Sequence, residues 1–167
     1  MTYLEEGNLR IAKGGALRCY KFDDERQTAR GMKAVDFIFE FDDCYWFIEF
    51  KDPDDPRARK ESRDKFFGKE IDIELAIKFR DTFLYRWAEG GDEAQGKKAI
   101  RYLVLFTGLD SGQRIRRMES LRNKLRDSDC CPKSWKNILL DECAIFDMEE
   151  WNKRFPDNPV SRLSESV

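Results

Sequence analysis

Residues 35–53 read VDFIFEFDDCYWFIEFKDP, and this stretch decides the fold. Two runs rich in Phe, Ile and Val, residues 34–41 and 44–51, flank Asp42 and Asp43, which are typical turn residues. The apolar and polar side chains of the first run alternate, as they do in a half-buried strand. We therefore predict a β-hairpin with its turn at Asp42-Asp43.

The turn position fixes which side chains lie on the same face of this hairpin. A two-residue or a four-residue loop gives one register, in which Asp36 lies opposite Glu49 with Cβ atoms about 4.5–5.5 Å apart. Lys51 projects from the same face as Glu49, because side chains two residues apart in a strand share a face. The opposite face is apolar and is predicted to be core; it comprises Val35, Phe37, Phe39, Phe41, Cys44, Trp46, Ile48 and Phe50.

The rest of the chain adds alternating helices and strands to the hairpin. We predict strands at 16–22, 100–107 and 137–146 and helices at 59–87, 111–126 and 148–155. Gly90-Gly91 should end the first helix, which connects two strands as a crossover and so implies a parallel pair. The fold class is α/β: one domain over residues 1–155, built on a mixed sheet with flanking helices. Residues 156–167, with two Pro and several Ser, are expected to fray.

Composition excludes several kinds of chemistry. The 167 residues include no His, so there is no His-containing catalytic triad, no His-ligated zinc and no His-based nuclease centre. The five Cys are odd in number and form no C-x-x-C pair, as expected for reduced thiols in a cytoplasmic protein. The acidic N-terminus resembles no signal peptide, no apolar run approaches the ~20 residues of a membrane helix, and no membrane partner is expected.

The predicted face carrying Asp36, Glu49 and Lys51 suggests metal-assisted chemistry. Two adjacent carboxylates repel each other unless a cation neutralises them, and Mg²⁺ prefers oxygen ligands. Lys51 beside them would position or deprotonate an attacking water, or stabilise developing negative charge. The alternative is a hairpin with one solvated polar edge, on which Asp36 pairs with a nearby Lys or Arg.

In these residues the sequence resembles the PD-(D/E)xK nuclease superfamily. The resemblance rests on Asp36, then twelve residues, then Glu49-Phe50-Lys51 on a predicted hairpin, followed by a helix and the apolar strand at 100–107. It covers roughly residues 16–107 and implies a restriction-endonuclease-like αβββαβ core. It also implies that Asp36 and Glu49 hold Mg²⁺, or Mn²⁺ in its place, with the Phe50 carbonyl as a third ligand. Lys51 would act on the nucleophilic water.

The sequence departs from the family pattern at three points. Val35 replaces the Pro of the family name. The first helix, which often supplies an extra Glu, is weak here, and Glu5 or Glu6 would have to serve. The Gln-containing helix motif of RecB-like members is absent after Lys51; Lys65 or Lys69 could replace it, although a solvated helix face is the simpler interpretation.

Charge is unevenly distributed although the net charge is only −2. Residues 97–126 carry nine basic and two acidic side chains, whereas residues 36–55 carry eight acidic side chains and Lys51. A basic helix beside an acidic metal site suits a nucleic-acid cleft, with Arg114, Arg116 and Arg117 as the phosphate contacts. The alternative is an ordinary solvated helix face.

These observations predict a metal-dependent nuclease that hydrolyses phosphodiester bonds, with DNA as the expected substrate. The rival hypothesis is a nuclease-fold module that binds nucleic acid or a partner protein without cutting it. Cutting both strands of a duplex with one site per chain would favour a homodimer or a larger protein complex. The sequence leaves open DNA or RNA, and endonuclease or exonuclease action.

Overall fold

The computed structural model describes residues 1–23, 31–126, 132–135 and 140–165, and these form two sheets and four α-helices. The strands are β1 (Tyr3–Glu6), β2 (Leu9–Ala12), β3 (Arg18–Lys21), β4 (Phe37–Glu40), β5 (Cys44–Lys51), β6 (Ala99–Phe106), β7 (Glu142–Phe146) and β8 (Val160–Arg162). The α-helices are α1 (Lys60–Phe66), α2 (Glu70–Ala88), α3 (Ser111–Lys124) and α4 (Met148–Arg154). The chain is therefore of the α/β class, as predicted.

The larger sheet has five strands in the order β3-β4-β5-β6-β7. Its first three strands are an antiparallel meander, and the hairpin register is the predicted one, with Phe37 opposite Ile48 and Glu40 opposite Tyr45. β5 and β6 are parallel, as the crossover predicted, and β7 is parallel to β6. The sheet is mixed.

The predicted helix over 59–87 is two helices in the structure. α1 ends at Phe66, and the backbone N–H of Phe67 turns back to the carbonyl of Asp64. Gly68 then lies between the two helices. Glycine has a poor helix propensity, and outside a helix this does not reduce the stability of the fold. α2 ends at Ala88, and Gly90 has a φ of +75°, so the predicted stop at Gly90-Gly91 is confirmed.

Two of the predicted strands are longer than the observed strands β7 and β4. The prediction over 137–146 reduces to β7, which begins at Glu142, and residues 136–139 lie outside the described part of the chain. The prediction over 34–41 reduces to β4, because the segment before Phe37 leaves the ladder: the N–H of Val35 donates to Thr82 Oγ1 on α2 at 2.9 Å.

Both faces of the large sheet are buried, which the alternating pattern does not indicate. The face predicted as core is buried, with Phe37, Phe39, Cys44, Trp46, Ile48 and Phe50 in one cluster and Phe41 packed against it. The prediction for Val35 is wrong: this residue packs in the second cluster, with Ile38 and Phe47 under α2, because its bond to Thr82 draws it there. Asp36, Glu49 and Lys51 thus lie on a largely apolar, helix-covered face.

The smaller sheet corrects two expectations about the chain ends. Its order is β1-β2-β8, so residues 160–162 pair with β2 where fraying was expected. Val160 is buried, and the Trp151 indole N–H donates to the carbonyl of Asn158 at 2.9 Å. The ordered fold therefore continues past residue 155. At the other end, residues 3–6 form β1 in place of the expected first helix.

None of the helices in the described part of the chain is both long enough and apolar enough to cross a membrane.

Candidate functional site

A cleft of about 670 Å³ opens at the end of β5 and contains all the predicted catalytic residues. Asp36, Glu49 and Lys51 line it together with Phe50. The smaller sheet contributes Glu6 and Asn8, the loop after β5 contributes Arg57 and Arg59, and the helical side contributes Lys78. The hairpin prediction and the cleft therefore coincide.

Asp36 is fixed by the end of the neighbouring strand. It precedes β4, and its Oδ2 accepts a hydrogen bond from the backbone N–H of Phe50 at 2.7 Å. Even-numbered residues of β5 face β4, so the backbone groups of Phe50 lie on the side where β4 has already ended. The carboxylate takes over the acceptor position that the strand would have supplied, and the Phe50 carbonyl lies along the same edge.

Glu49 and Lys51 lie together, as their spacing on β5 predicted. Lys51 Nζ is 3.0 Å from Glu49 Oε1 and donates to Glu74 Oε1 on α2 at 3.1 Å. Glu49 is 1% exposed, and its Oε2 is a buried oxygen without a hydrogen-bond partner. A buried carboxylate oxygen of this kind is suited to bind a cation or a water.

Lys78 brings a second cation to the same carboxylates. It lies on α2, and its Nζ donates to Glu49 Oε1 at 2.6 Å and is 4.0 Å from Asp36 Oδ1. Because Lys78 Nζ is 4.0 Å from Asp36 Oδ1 and 2.6 Å from Glu49 Oε1, these two oxygens can be no farther apart than about 6.6 Å. A separation above about 8 Å would have prevented them from sharing one ion.

Burial and repulsion make Asp36 costly to ionise. Burial raises the pKa of Asp36 well above its usual range, and the Glu49 carboxylate raises it further. The Lys78 ammonium and the Phe50 N–H oppose these effects without cancelling them. A cation bound at Asp36 would relieve this cost directly.

Lys51 is held in its charged form. Burial alone would lower the pKa of Lys51, but the Glu49 and Glu74 carboxylates outweigh burial and raise it. Lys51 in this arrangement keeps its proton. The arrangement therefore disfavours one of the roles that the sequence suggests for Lys51, the deprotonation of a water. Positioning a water and stabilising negative charge both use the ammonium form.

The donor set around Asp36 fits a hard divalent cation. Glu6 on β1, Asp23 after β3 and Asp36 each offer a carboxylate oxygen, and these oxygens lie within 4.8 Å of one another. Glu49 adds its partnerless Oε2 in the same cleft. Carboxylate and carbonyl oxygens are the ligands of Mg²⁺ and Mn²⁺, so the predicted set of Asp36, Glu49 and Phe50 gains two candidate members.

The three arginines predicted to bind nucleic acid do not line the cleft. Arg114 is paired with Glu150, and Arg117 Nη1 is 2.8 Å from Asp72 Oδ1, with its guanidinium over the Phe106 ring. Arg116 is exposed on α3. Two of the three therefore hold α3 to its neighbours, and among the described residues the arginines that line the cleft are Arg57 and Arg59.

Four site residues are missed or undervalued by sequence reasoning. Glu74 and Lys78 lie one turn apart on α2, beside the apolar stripe of Ile71, Leu75 and Phe79, and that position is a usable signal. Glu6 is expected in a helix but reaches the cleft from a strand, and Asp23 carries no signal. Lys65 and Lys69 are exposed and outside the cleft, so Lys78 is the helix lysine that reaches it.

Comparison of the chain with protein-family models, with curated proteins and with solved structures yields no match.

Proposed function

We propose that this protein is a metal-dependent nuclease that hydrolyses phosphodiester bonds, with DNA as its substrate. The observation that carries the proposal is the convergence of Asp36, Glu49 and Lys51 in one cleft, with Lys51 Nζ 3.0 Å from Glu49 Oε1. Acidic side chains that can hold a cation and an ammonium group beside them are the components that phosphodiester hydrolysis needs without His.

The topology supports a restriction-endonuclease-like core. An antiparallel meander, a helical crossover and a parallel strand follow one another as β3-β4-β5, α1 with α2, and β6. The acidic residues lie at the end of the central strands, as in the pattern of the PD-(D/E)xK superfamily. The β1-β2 hairpin stands in place of the first helix, and Glu6 supplies the carboxylate expected from it.

Asp36 and Glu49 would hold Mg²⁺ or Mn²⁺, with the Phe50 carbonyl as a third ligand and Glu6 and Asp23 close by. When bound, the ion supplies charge neutralisation and a more acidic water. The hydrogen bond from the Phe50 N–H fixes the orientation of the Asp36 carboxylate, which would hold the ion. Lys51 lines the same cleft and is held protonated between Glu49 and Glu74, and its ammonium would stabilise negative charge developing on the phosphate.

The nucleic-acid backbone would be held at the rim of the cleft. Arg57 and Arg59 lie there, and both are exposed. Arg57 Nε also forms an ion pair with Asp55 Oδ1, at 3.2 Å. Guanidinium groups bind phosphates in a bidentate manner, and contacts of this kind to the phosphates carry no sequence information. The proposed phosphate contacts are therefore Arg57 and Arg59, in place of Arg114, Arg116 and Arg117.

One observation favours a second candidate function, a non-cutting module that binds nucleic acid or a partner protein. Glu49 Oε1 already accepts from two ammonium groups, at 3.0 Å and 2.6 Å, so the site carries its own cations. In a domain that binds no metal, these two lysines would neutralise the buried carboxylates.

A nuclease assay separates the two candidates. The purified protein is incubated with plasmid, linear and single-stranded DNA and with RNA, each with Mg²⁺, Mn²⁺ or EDTA. Cleavage that requires the metal supports the nuclease, and the form of the products distinguishes endonuclease from exonuclease action. A gel shift of uncut DNA, with no cleavage of any substrate, supports the binding module.

A further inference from the structure

Lys78 is placed where it competes with a metal ion for Glu49. Its Nζ is 2.6 Å from Glu49 Oε1, the same oxygen that Lys51 approaches at 3.0 Å. The other oxygen of Glu49 is buried without a partner. One oxygen of Glu49 thus contacts two side-chain cations, and the other is buried without a hydrogen-bond partner.

The two lysines are not equivalent in their attachment. Lys51 also binds Glu74, at 3.1 Å, so it keeps a carboxylate partner if Glu49 turns away. Besides Glu49, Lys78 approaches Asp36, at 4.0 Å, and Asp36 is itself a proposed metal ligand. A divalent cation held by Asp36 and Glu49 would therefore be repelled by the Lys78 ammonium, which lies close to both carboxylates.

The backbone of Lys78 is held in α2, whereas its ammonium is carried on a long side chain with several rotatable bonds. Its carbonyl accepts a hydrogen bond from Thr82 Oγ1 at 2.7 Å within α2. The side chain is a flexible four-carbon stem, is 15% exposed and lines the open cleft. Withdrawal of the ammonium from Glu49 requires rotation about the bonds of this stem and no displacement of the helix.

We infer that Lys78 is a resident counter-ion of the metal-free site, which releases Glu49 when a divalent cation binds. The inference rests on the proposed metal-dependent function. Lys78 neutralises the buried carboxylates while the metal is absent and lowers the affinity for the metal because its positive charge lies beside the two carboxylates that would hold the ion. It acts through Glu49 and is a positioning residue. After release, its ammonium faces the cleft in which the phosphate would lie.

Mn²⁺ binding to the purified full chain tests this inference, with free Mn²⁺ measured by electron paramagnetic resonance. Lys78→Met removes the competing charge and keeps the length of the side chain. The matched control is Lys33→Met: Lys33 Nζ is 3.9 Å from Glu74 Oε2, so it lies near the site without touching Glu49. We expect Lys78→Met to bind Mn²⁺ about tenfold more tightly than wild type, and Lys33→Met to bind as wild type does.

Thermal melting supplies a second readout. Without metal, Lys78→Met should melt at a lower temperature than wild type because Glu49 loses a cation, and saturating Mn²⁺ should restore more of its stability than that of wild type. If Lys78→Met does not fold, Lys78→Gln, which keeps a hydrogen-bond donor without the charge, is measured in its place.

The outcomes separate this inference from the proposed function. Equal or weaker Mn²⁺ binding by a folded Lys78 variant, with wild type binding normally, overturns the counter-ion role and leaves the nuclease proposal standing. Absence of binding by wild type and by the Lys78 variants overturns both. Binding by the variant alone supports the inference, because it shows that the charge of Lys78 opposes the binding of the metal.

Discussion

The carboxylate of Asp36 accepts a hydrogen bond from the backbone N–H of Phe50 at 2.7 Å, across the end of two neighbouring strands. This bond fixes a buried acid beside Glu49, at a point where β4 has ended and the sheet can no longer supply an acceptor. Structure and function therefore place opposite demands on Asp36. In the fold the carboxylate is a hydrogen-bond acceptor, but its negative charge destabilises the folded protein unless a cation binds beside it.

The stability of an Asp36→Asn variant should depend on pH in a defined way. The pKa of Asp36 is raised in the folded protein by burial and by Glu49, relative to about 3.9 in the unfolded chain. The stability that protonated Asp36 contributes is therefore fully present below the unfolded pKa and is lost as the pH rises through the folded pKa. Asn keeps an acceptor for the Phe50 N–H and carries no charge at any pH.

We expect equal melting temperatures for wild type and Asp36→Asn near pH 4, and an advantage for the variant that grows to about 3 °C or more at pH 8 without metal. The control is Glu40→Gln, for which the trend is opposite. The Lys98 ammonium and the Arg18 guanidinium lower the pKa of Glu40, so its loss should destabilise the protein as the pH rises. A pH-independent difference for Asp36→Asn would contradict the electrostatic description.

Thr82 should be required for the geometry of the segment that carries Asp36. Its buried hydroxyl accepts from the Val35 N–H at 2.9 Å and donates to the Lys78 carbonyl. Thr82→Val leaves the buried Val35 N–H without a partner, which costs about 1–3 kcal/mol. Thermal melting should show a decrease of roughly 2–4 °C per kcal/mol. Thr82→Ser, which keeps the hydroxyl, should lose much less; equal losses would assign the effect to packing alone.

The C-terminal segment should be part of the cooperative fold. A stop codon in place of Asp157 removes β8, exposes the partners of Val160 and takes away the Asn158 carbonyl that accepts from Trp151. We expect a loss of ~3 kcal/mol or more in the free energy of unfolding, measured by urea denaturation. A stop after Glu165 is the control and should leave stability unchanged. Equal stability of the two truncated chains would restore the expectation of a frayed end.

The hairpin and its site could be predicted from the sequence because their determinants are local. Asp42-Asp43 fixes the turn, the turn fixes the register, and the register places Asp36 opposite Glu49 and on the face of Lys51. The crossover followed from one helical pattern between two apolar strands. These inferences needed only neighbouring residues and the periods of strands and helices.

The remaining features depend on contacts between distant parts of the chain. Lys78 lies twenty-nine residues from Glu49 in the sequence. In the helix alone, Lys78 looks like an ordinary solvent-exposed lysine, and only the packing of α2 on the sheet brings it to Glu49. The pairing of β8 with β2 joins the two ends of the chain, which no local pattern specifies. Likewise, the charge of Arg117 suggested a ligand contact, whereas its partner Asp72 is supplied by another helix.

Arg59 should contribute to nucleic-acid binding because it is exposed at the rim of the cleft. In a Lys51→Met background, Arg59→Glu should weaken binding of a short DNA duplex about tenfold. The slope of log affinity against log salt should also become shallower, by about 0.9 for each phosphate that the variant no longer neutralises. Fluorescence anisotropy measures both quantities. Lys153→Glu, at an exposed lysine on α4 outside the cleft, is the control for net charge.

A comparison with Arg116→Glu decides between the two candidate surfaces. Arg116 is the exposed arginine among the three on α3 that the charge pattern singled out. A larger loss of affinity in Arg116→Glu than in Arg59→Glu would return the phosphate contacts to α3. Unchanged affinity in Arg59→Glu would remove the rim of the cleft from the binding surface.

The central claim is tested most directly by the Mg²⁺-dependent cleavage rate of end-labelled DNA under single-turnover conditions, for wild type, Asp36→Asn, Lys51→Met and Lys33→Met. We predict that cleavage by wild type requires the metal and that Asp36→Asn and Lys51→Met each lose roughly a hundredfold or more in rate. Lys33→Met removes a nearby lysine charge outside the catalytic set and should cleave at close to the wild-type rate. Metal-dependent cleavage that persists unchanged in both Asp36→Asn and Lys51→Met would contradict the proposed site.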